Sequence, residues 1–353
     1  MTERTGESPV PWGQFAALLE WYWRERRDLP WRRSRDPYAI LVSEFMLQQT
    51  RVETVIPFYH NFLHRFPSLT SLARAPLEDV YEAWAGLGYY RRAKNLHLAA
   101  QAVVERGSFP DQISDLLQLP GVGEYTAAAL ASIAFQQPAV ALDGNALRVL
   151  CRFFGVRSAP QTTATRRQLT QLTLPHIPVE AAGDFTQAVM ELGARLCLPR
   201  QPQCPACPLQ SQCAAFRQGL TQQIPPPLPA RPRQRVELLA LRIWHGHQIL
   251  LERREDDLFL AQQWVTPWFF APAHDRLQQY RQLFAGNSLQ YVGKVRHAVT
   301  FRDLEIDVWE WHTDQPFHLS HQKFIEWKPG QTRLPRLTSK VISAAPCQTC
   351  PQS

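Results

Sequence analysis

A mainly helical domain over residues 1–220, followed by a smaller α/β domain, is the architecture this sequence predicts, and three observations predict it. Up to about Phe216, apolar residues recur three and four apart, and Pro and Gly punctuate the segments. The stretch TQQIPPPLPARPRQR, Thr221 to Arg235, then carries five Pro and three Arg in fifteen residues. Neither a helix nor a central strand accommodates that composition, so it reads as an extended, semi-rigid, basic linker over 221–235. Beyond it, VELLALRIW, QILLERR, LQYVGKV and LEIDVWEW are short β-type runs, which makes Val236 to about Ser343 a second domain, with a tail over 344–353.

The bulk numbers bound the function classes. A chain of 353 residues with 45% hydrophobic content supports two real cores. The net charge of +7 favours a polyanionic partner such as nucleic acid, with a basic housekeeping enzyme as the bland alternative. The first ten residues, MTERTGESPV, hold no apolar signal core, and no run of about 18 apolar residues exists to span a membrane. The expectation is a cytoplasmic protein without a membrane partner, nucleoid-associated if prokaryotic. Seven cysteines are an odd number, and four lie between Cys197 and Cys213, which argues for metal rather than disulfides.

The elements follow in order. Trp12–Glu25 has a helical pattern. Next, Ile40, Leu41, Phe45, Leu47, Val52, Val55 and Ile56 recur at helical spacing and read as one buried helix. Glu44 stands in the middle of it, followed by Gln48, Gln49 and Thr50. A helix carboxylate there is either paired with an arginine or kept protonated, because desolvation raises its pKa. Helical patterns recur at Val80–Trp84 and Ala93–Val104, around GLGYYRRAKNLH, Gly86 to His97. That stretch sets two tyrosines beside Arg91, Arg92 and Lys94. Rings beside cations suit a loop that probes a duplex, and equally suit a core tyrosine pair on a solvated basic helix start.

LPGVGEYTAAALASIAF, Leu119 to Phe135, joins a short helix over Gln112–Gln118 to a second over Glu124–Phe135. Pro120 stops the first helix. Gly121 and Gly123, flanking Val122, permit a tight turn and leave amides free at the start of the second helix, a setting that suits a phosphate. Asp143 in LDGN precedes the helix Ala146–Phe154 and caps it, and those hydrogen bonds should hold its pKa low. A helix following Thr186 leads into Cys197, Cys204, Cys207 and Cys213, spaced C-x6-C-x2-C-x5-C. Four thiolates so spaced hold either a tetrahedral zinc or an iron–sulfur cube. Cys151 reads as core, and Cys347 and Cys350 of CQTC as unassigned thiols.

From about Trp12 to Phe216 the chain resembles the MutY-type adenine DNA glycosylases of the helix-hairpin-helix (endonuclease III) superfamily. The resemblance rests on LPWR, VSEFMLQQTRVETVIPFY, WAGLGYYRRAKNL, LPGVGEYT, LDGNALRVL, FTQAVMELGA and the four cysteines, all in one order. It implies a helix-hairpin-helix glycosylase fold, with a six-helix barrel over about 31–136 and a lobe built from about 12–30 plus 137–216. It also implies a [4Fe–4S] cluster on Cys197, Cys204, Cys207 and Cys213. The lyase-type sister class carries a lysine two residues after the second hairpin glycine, whereas this chain has Tyr125 there, so no amine is placed to form a Schiff base. Acid-assisted hydrolysis then needs two carboxyl groups with opposed pKa values.

The resemblance gives Glu44 the protonation of adenine N7. Asp143 stabilises the sugar cation, with a short-lived covalent adduct as one form of that role. Asn145 orients Asp143, and Tyr125 packs on the sugar side. Arg27, Trp31, Arg32, Leu47, Val52 and Gln187 line the adenine pocket, Gln187 standing where some relatives carry Glu. Gln49, Thr50, Leu87 and Tyr89 face the orphaned base, Tyr89 as a wedge, and Gly121, Val122 and Gly123 meet the DNA backbone. The implied partner is double-stranded DNA carrying adenine opposite 8-oxoguanine or guanine, bound by a monomer.

Val236–Ser343 resembles, more weakly, the family's Nudix-like lesion-recognition domain, without the acidic metal-binding box of a pyrophosphatase. The lesion loop typically reads Phe-Ser-His, and the corresponding stretch here is Val299-Thr300-Phe301. Thr300 keeps the hydroxyl and the histidine is lost, which weakens the expected preference for 8-oxoguanine. LSH at Leu319–His321 mimics the motif but falls about twenty residues late. Two rival readings stand beside this one: a lyase-type glycosylase for oxidised pyrimidines, and a non-enzymatic iron–sulfur sensor that binds DNA.

Overall fold

The computed structural model describes residues 13–227, 232–253, 263–270, 289–314, 321–329 and 334–344. Cys347, Cys350, Leu319 and Ser320 lie outside them. The chain forms two compact units, residues 1–83 with 92–229, and residues 84–91 with 230–353.

The first unit is helical. A 3-10 turn at Gly13–Phe15 leads into α1 (Ala16–Glu25). α2 (Pro37–Leu47) starts where Asp36 accepts a hydrogen bond from the Tyr38 N–H at 3.1 Å, with Pro37 at the first helical position. Every residue from Tyr38 to Met46 is buried, as expected of a helix that is apolar all round. The single helix expected through Ile56 is two. α2 stops at Leu47, and α3 (Val52–Arg65) restarts after a turn in which Gln49 adopts φ 58°. The cause is Arg92, a buried arginine of α6 (Arg91–Arg106). Its guanidinium donates to the carbonyls of Phe45 at 3.0 Å, Met46 at 2.9 Å and Gln48, and to the Thr50 hydroxyl at 3.1 Å. Those carbonyls are the groups a longer helix would have used. The apolar period continues only because α3 turns Val55, Tyr59 and Phe62 inward in its own right.

α4 (Leu69–Arg74) and α5 (Leu77–Trp84) precede α6. α7 covers only Ile113–Leu116 and ends before Pro120, winding down through 3-10 bonds from Gln118 to Asp115 and from Leu119 to Leu116. α8 (Glu124–Ile133) is buried from Thr126 onward. Between them Gly121 has φ 75°, and a Cβ there would stand 2.6 Å from the Asn95 Cβ. Gly123 is extended at φ −95° and needs no left-handed freedom; nothing lies within 4 Å of where its Cβ would be.

α9 (Gly144–Phe154), α10 (Thr163–Thr173), α11 (Ala182–Arg195) and the short α12 (Ala214–Arg217) complete the unit. One buried cluster joins Phe15, Leu18, Leu19 and Tyr22 of the N-terminal segment to Val149, Phe153, Phe185, Val189 and Leu192, and takes in Ile224. α11 approaches α9 closely because Gly193 has no side chain: a Cβ there would lie 2.7 Å from the Asn145 Cβ. The first residues of the proline-rich stretch are packed rather than extended. Ile224 is buried, and its carbonyl accepts from Arg152 Nε at 2.8 Å.

The second unit is α/β, as expected. β1 (Gln234–His245) pairs parallel with β6 (Arg302–His312), and the sheet runs β3-β2-β1-β6-β5, with β4 on β1 and β7 on β2. Here β2 is Gln248–Arg253, β3 Trp264–Val265, β4 Trp268–Phe270, β5 Gln290–Val299 and β7 Gln322–Glu326. Leu238 and Ala240 pack with Leu304, Ile306 and Val308 and with Leu337 and Val341 of α13 (Arg336–Ile342), while Leu241 and Ile243 join a separate cluster with Leu250 and Trp311. That is the period-two alternation of a strand covered on both faces. Among the described residues, no helix is long and apolar enough to cross a membrane.

Candidate active site

α2, the turn after it, and the starts of α3, α8 and α9 close around a cavity of about 680 Å³ with α11 and the 27–32 segment. Glu44, Tyr125, Asp143 and Asn145 all line it, as do Arg27, Trp31, Arg32, Leu47, Val52 and Gln187, together with Gln49 and Thr50.

Glu44 is 5% exposed, and its Oε2 is buried with no hydrogen-bond partner. Burial pushes its pKa up to about 7; the neighbouring Tyr125 hydroxyl opposes this and the charge on Asp143 adds to it. The carboxyl is therefore held on the edge of protonation at neutral pH, and both groups that modulate it line the same cavity.

Asp143 caps α9, accepting from the Ala146 N–H at 2.6 Å and from Asn145 Nδ2 at 3.1 Å. The expected lowering of its pKa is not what the surroundings produce. Burial raises it, and the bonds from Ala146 and Asn145 and the charge of Arg148 offset only part of that. A local sequence pattern displays the cap but not the desolvation.

Arg27 and Arg32 do not stand free in the cavity. Both are clamped by Glu191, a residue that sequence reading passed over. Arg27 binds it in a fork, Nε and Nη2 each at 2.8 Å, and Arg32 Nη2 adds a third bond at 2.8 Å. The Glu191 side chain is 0% exposed. Burial alone would raise its pKa, but the two guanidiniums overcome this and hold it down at about 2. The sequence held half a signal: Glu191 lies three residues after Ala188, on the buried face of α11, but nothing there names Arg27 and Arg32 as its partners. Arg166 of α10 also lines the cavity and was likewise missed.

The start of α9 is tied to the cysteine segment. Arg148 donates to Asn145 Oδ1 at 2.9 Å, to the Gly193 carbonyl at 2.8 Å and to the Cys197 carbonyl at 2.7 Å. One helical turn on, buried Arg152 donates to Cys197 Sγ at 3.3 Å and to the carbonyls of Leu198 at 2.6 Å and Pro199 at 3.1 Å. Cys197, Cys204, Cys207 and Cys213 are free thiols, half-buried at one end of the helical core. Burial and mutual repulsion with the other cysteines push the Cys207 thiol up to about 12, against a partly offsetting backbone bond. Four thiols so crowded resist ionising together unless a cationic centre sits among them. Among the described residues, no three His, Cys, Asp or Glu converge tightly enough for one metal ion.

The hairpin turn places Gly121, Val122 and Gly123 before α8, whose N-terminus has no side-chain cap. Gly121 and Gly123 are exposed and Val122 is buried. Leu87 and Tyr89 are not in the cavity lining. Leu87 is buried, while Tyr89 is 48% exposed with φ 51°. In the second unit, Thr300 and Phe301 form the turn between β5 and β6, and Thr300 takes φ 53°, uncommon for a β-branched residue.

A helical unit whose hairpin presents uncapped amides, with a carboxyl-lined cavity beside it, defines the helix-hairpin-helix class of DNA base-excision proteins. Residues 42–175 match the family described as HhH-GPD superfamily base excision DNA repair protein. A solved thermostable thymine-DNA glycosylase aligns at TM-score 0.53 and 30% identity, covering 57% of this chain and 94% of that one. Curated adenine DNA glycosylases are similar in sequence. The Mycobacterium tuberculosis protein is 42% identical over 60% of this chain and 70% of its own length, and the Mus musculus protein 46% identical over 61% of this chain. This chain belongs to the adenine DNA glycosylase family. It spans 44% of the mouse relative's length and 40% of the human one's.

Proposed function

We propose that this protein is a monofunctional adenine DNA glycosylase that hydrolyses the N-glycosidic bond of adenine opposite 8-oxoguanine or guanine in duplex DNA. The observation that carries the reading is Glu44: a buried carboxyl with an orphaned oxygen and a pKa near 7, sharing one cavity with Asp143. Adenine leaves poorly as an anion, and a proton delivered to N7 makes it a neutral leaving group. Glu44 supplies that proton. Bond breaking leaves an oxocarbenium-like sugar, for which Asp143 provides the negative charge, held in place by Asn145. Burial and the charge on Asp143 both favour the protonated form of Glu44 beside an ionised Asp143.

Water is the final nucleophile. Tyr125 stands where the lyase class has its amine, and burial first, then the nearby carboxylates, push its phenol well above its ordinary pKa. It therefore stays neutral, able to support the sugar side but not to form a Schiff base, which disfavours the rival lyase reading.

The cysteines fit a [4Fe–4S] cluster. The four thiols lie close enough to act on one another electrostatically, and Arg152 donates to the Cys197 sulfur. Bound there, the cluster would supply a structural staple for the lobe that carries Asp143. The hairpin amides meet the DNA backbone, Gln49, Thr50, Leu87 and Tyr89 serve the orphaned base, and the strained Thr300 turn of the Nudix-like unit contributes to reading the lesion. The protein acts as a monomer.

Single-turnover adenine release from duplexes with A opposite 8-oxoG, G, C or T tests this. Release is expected opposite 8-oxoG and G, and Glu44→Gln should slow it by about 10² to 10⁴-fold. A full rate in Glu44→Gln would refute the chemistry, and equal cutting of all four duplexes would refute the lesion recognition.

A further inference from the structure

The cavity has four arginines on its lining, and they divide into three kinds. Arg27 and Arg32 share Glu191 as their counter-ion. Arg51 is exposed at the start of α3, with no side-chain hydrogen bond or ion pair among the described residues. Arg166 differs from all three. Its Nη1 donates to the Leu142 carbonyl at 3.2 Å, so the guanidinium is aimed, yet no carboxylate lies within ion-pair distance of it among the described residues. Its backbone is fixed as well. Thr162 caps α10 by accepting from the Thr165 N–H at 3.2 Å, and Thr165 and Leu169 are buried, which leaves Arg166 at the cavity rim.

We infer that Arg166 binds a backbone phosphate of the nucleotide whose base enters the cavity. This rests on the glycosylase reading and adds a substrate contact to it. An arginine with one bond to a carbonyl and no acid keeps several N–H donors for an anion, in the planar fork that matches phosphate oxygens. The order of groups also agrees. In the glycosylase reading Glu44 serves the base and Asp143 the sugar, and the carbonyl that orients Arg166 belongs to Leu142, the residue before Asp143. A nucleotide presents base, sugar and phosphate in the same sequence. The contact would hold the extruded sugar over Asp143 without touching the base, so it should matter equally for every mispair.

The test uses the full chain, with Arg166→Gln and Arg166→Lys, and duplexes carrying a neutral methylphosphonate at the phosphate 5′ or 3′ of the target adenosine. Arg166→Gln should weaken binding about ten- to a hundredfold. The slope of log affinity against log salt should fall by about one, with Arg166→Lys keeping the slope. One of the two methylphosphonates should weaken wild-type binding similarly, and it should add nothing further in Arg166→Gln. Additive losses from the neutral linkage and the substitution would overturn the inference, as would an unchanged salt slope in a folded Arg166→Gln. If the wild type releases no adenine from any duplex, it is the glycosylase reading that fails. Adenine release with additive losses condemns the phosphate contact alone.

Discussion

Two glutamates line one cavity, one from α2 and one from α11, and their surroundings shift their carboxyls in opposite directions. Glu44, on α2, is surrounded by apolar side chains, and its pKa stands at about 7. Glu191, on α11, is as thoroughly buried, but it is gripped by Arg27 and Arg32 and stands at about 2. Burial acts on both in the same direction, and the counter-charges decide the outcome. The difference separates a group that can give up a proton from one that holds two cations in place. A site that must protonate a base needs the first kind, and the second keeps that base's pocket in shape.

The largest expected effect comes from removing the proton donor. Glu44→Gln should slow single-turnover adenine release by about 10² to 10⁴-fold, the usual yield of a general acid. Glu191→Gln should instead act mainly on the fold. It leaves Arg27 and Arg32 without their counter-ion, a loss of about 3–5 kcal/mol readable in urea unfolding. If Glu44→Gln were the variant that unfolded and Glu191→Gln the one that lost only rate, the contrast between the walls would be reversed.

Stability against pH sharpens the contrast further. The folded pKa of Glu44 lies above its unfolded value, so its contribution is complete below about 4.5 and is lost as pH rises through about 7. At pH 8, Glu44→Gln should therefore be more stable than wild type by on the order of 3 kcal/mol, and the gap should close as pH falls to 4.5. Glu191 has the opposite sign: its contribution is present above about 4.5 and is lost as pH falls toward 2. Calorimetry of wild type and Glu44→Gln across pH 4 to 8 measures the first difference directly, and a constant gap would contradict the raised pKa. The smallest expected effect is that of Asp36→Ala, which removes the cap of the helix that carries Glu44. It should cost about 1 kcal/mol without moving the pH at which the gap opens.

Much of this was legible in the sequence where the cause is local. Glu44 stands out because apolar residues flank it on the same helix, and the hairpin stands out because Pro120, Gly121 and Gly123 mark a turn. What stayed hidden depends on distant partners. Glu191 meets Arg27 and Arg32 across separations of 164 and 159 residues, and no pattern within α11 announces them. The break after Leu47 is made by Arg92, forty-odd residues downstream, while the apolar period runs on undisturbed. For Asp143 the cap was readable and the burial was not, so the expected direction of its pKa was reversed.

Arg152 has a practical bearing on how the chain can be cut. Its guanidinium gathers the Leu198, Pro199 and Ile224 carbonyls, so one buried side chain fastens the cysteine segment to the beginning of the proline run. A fragment trimmed after Leu220, where composition alone sets the domain boundary, would strip that arginine of a partner and expose the apolar seat of Ile224. A fragment that ends after Pro227 keeps both, and should be the one that resists limited proteolysis.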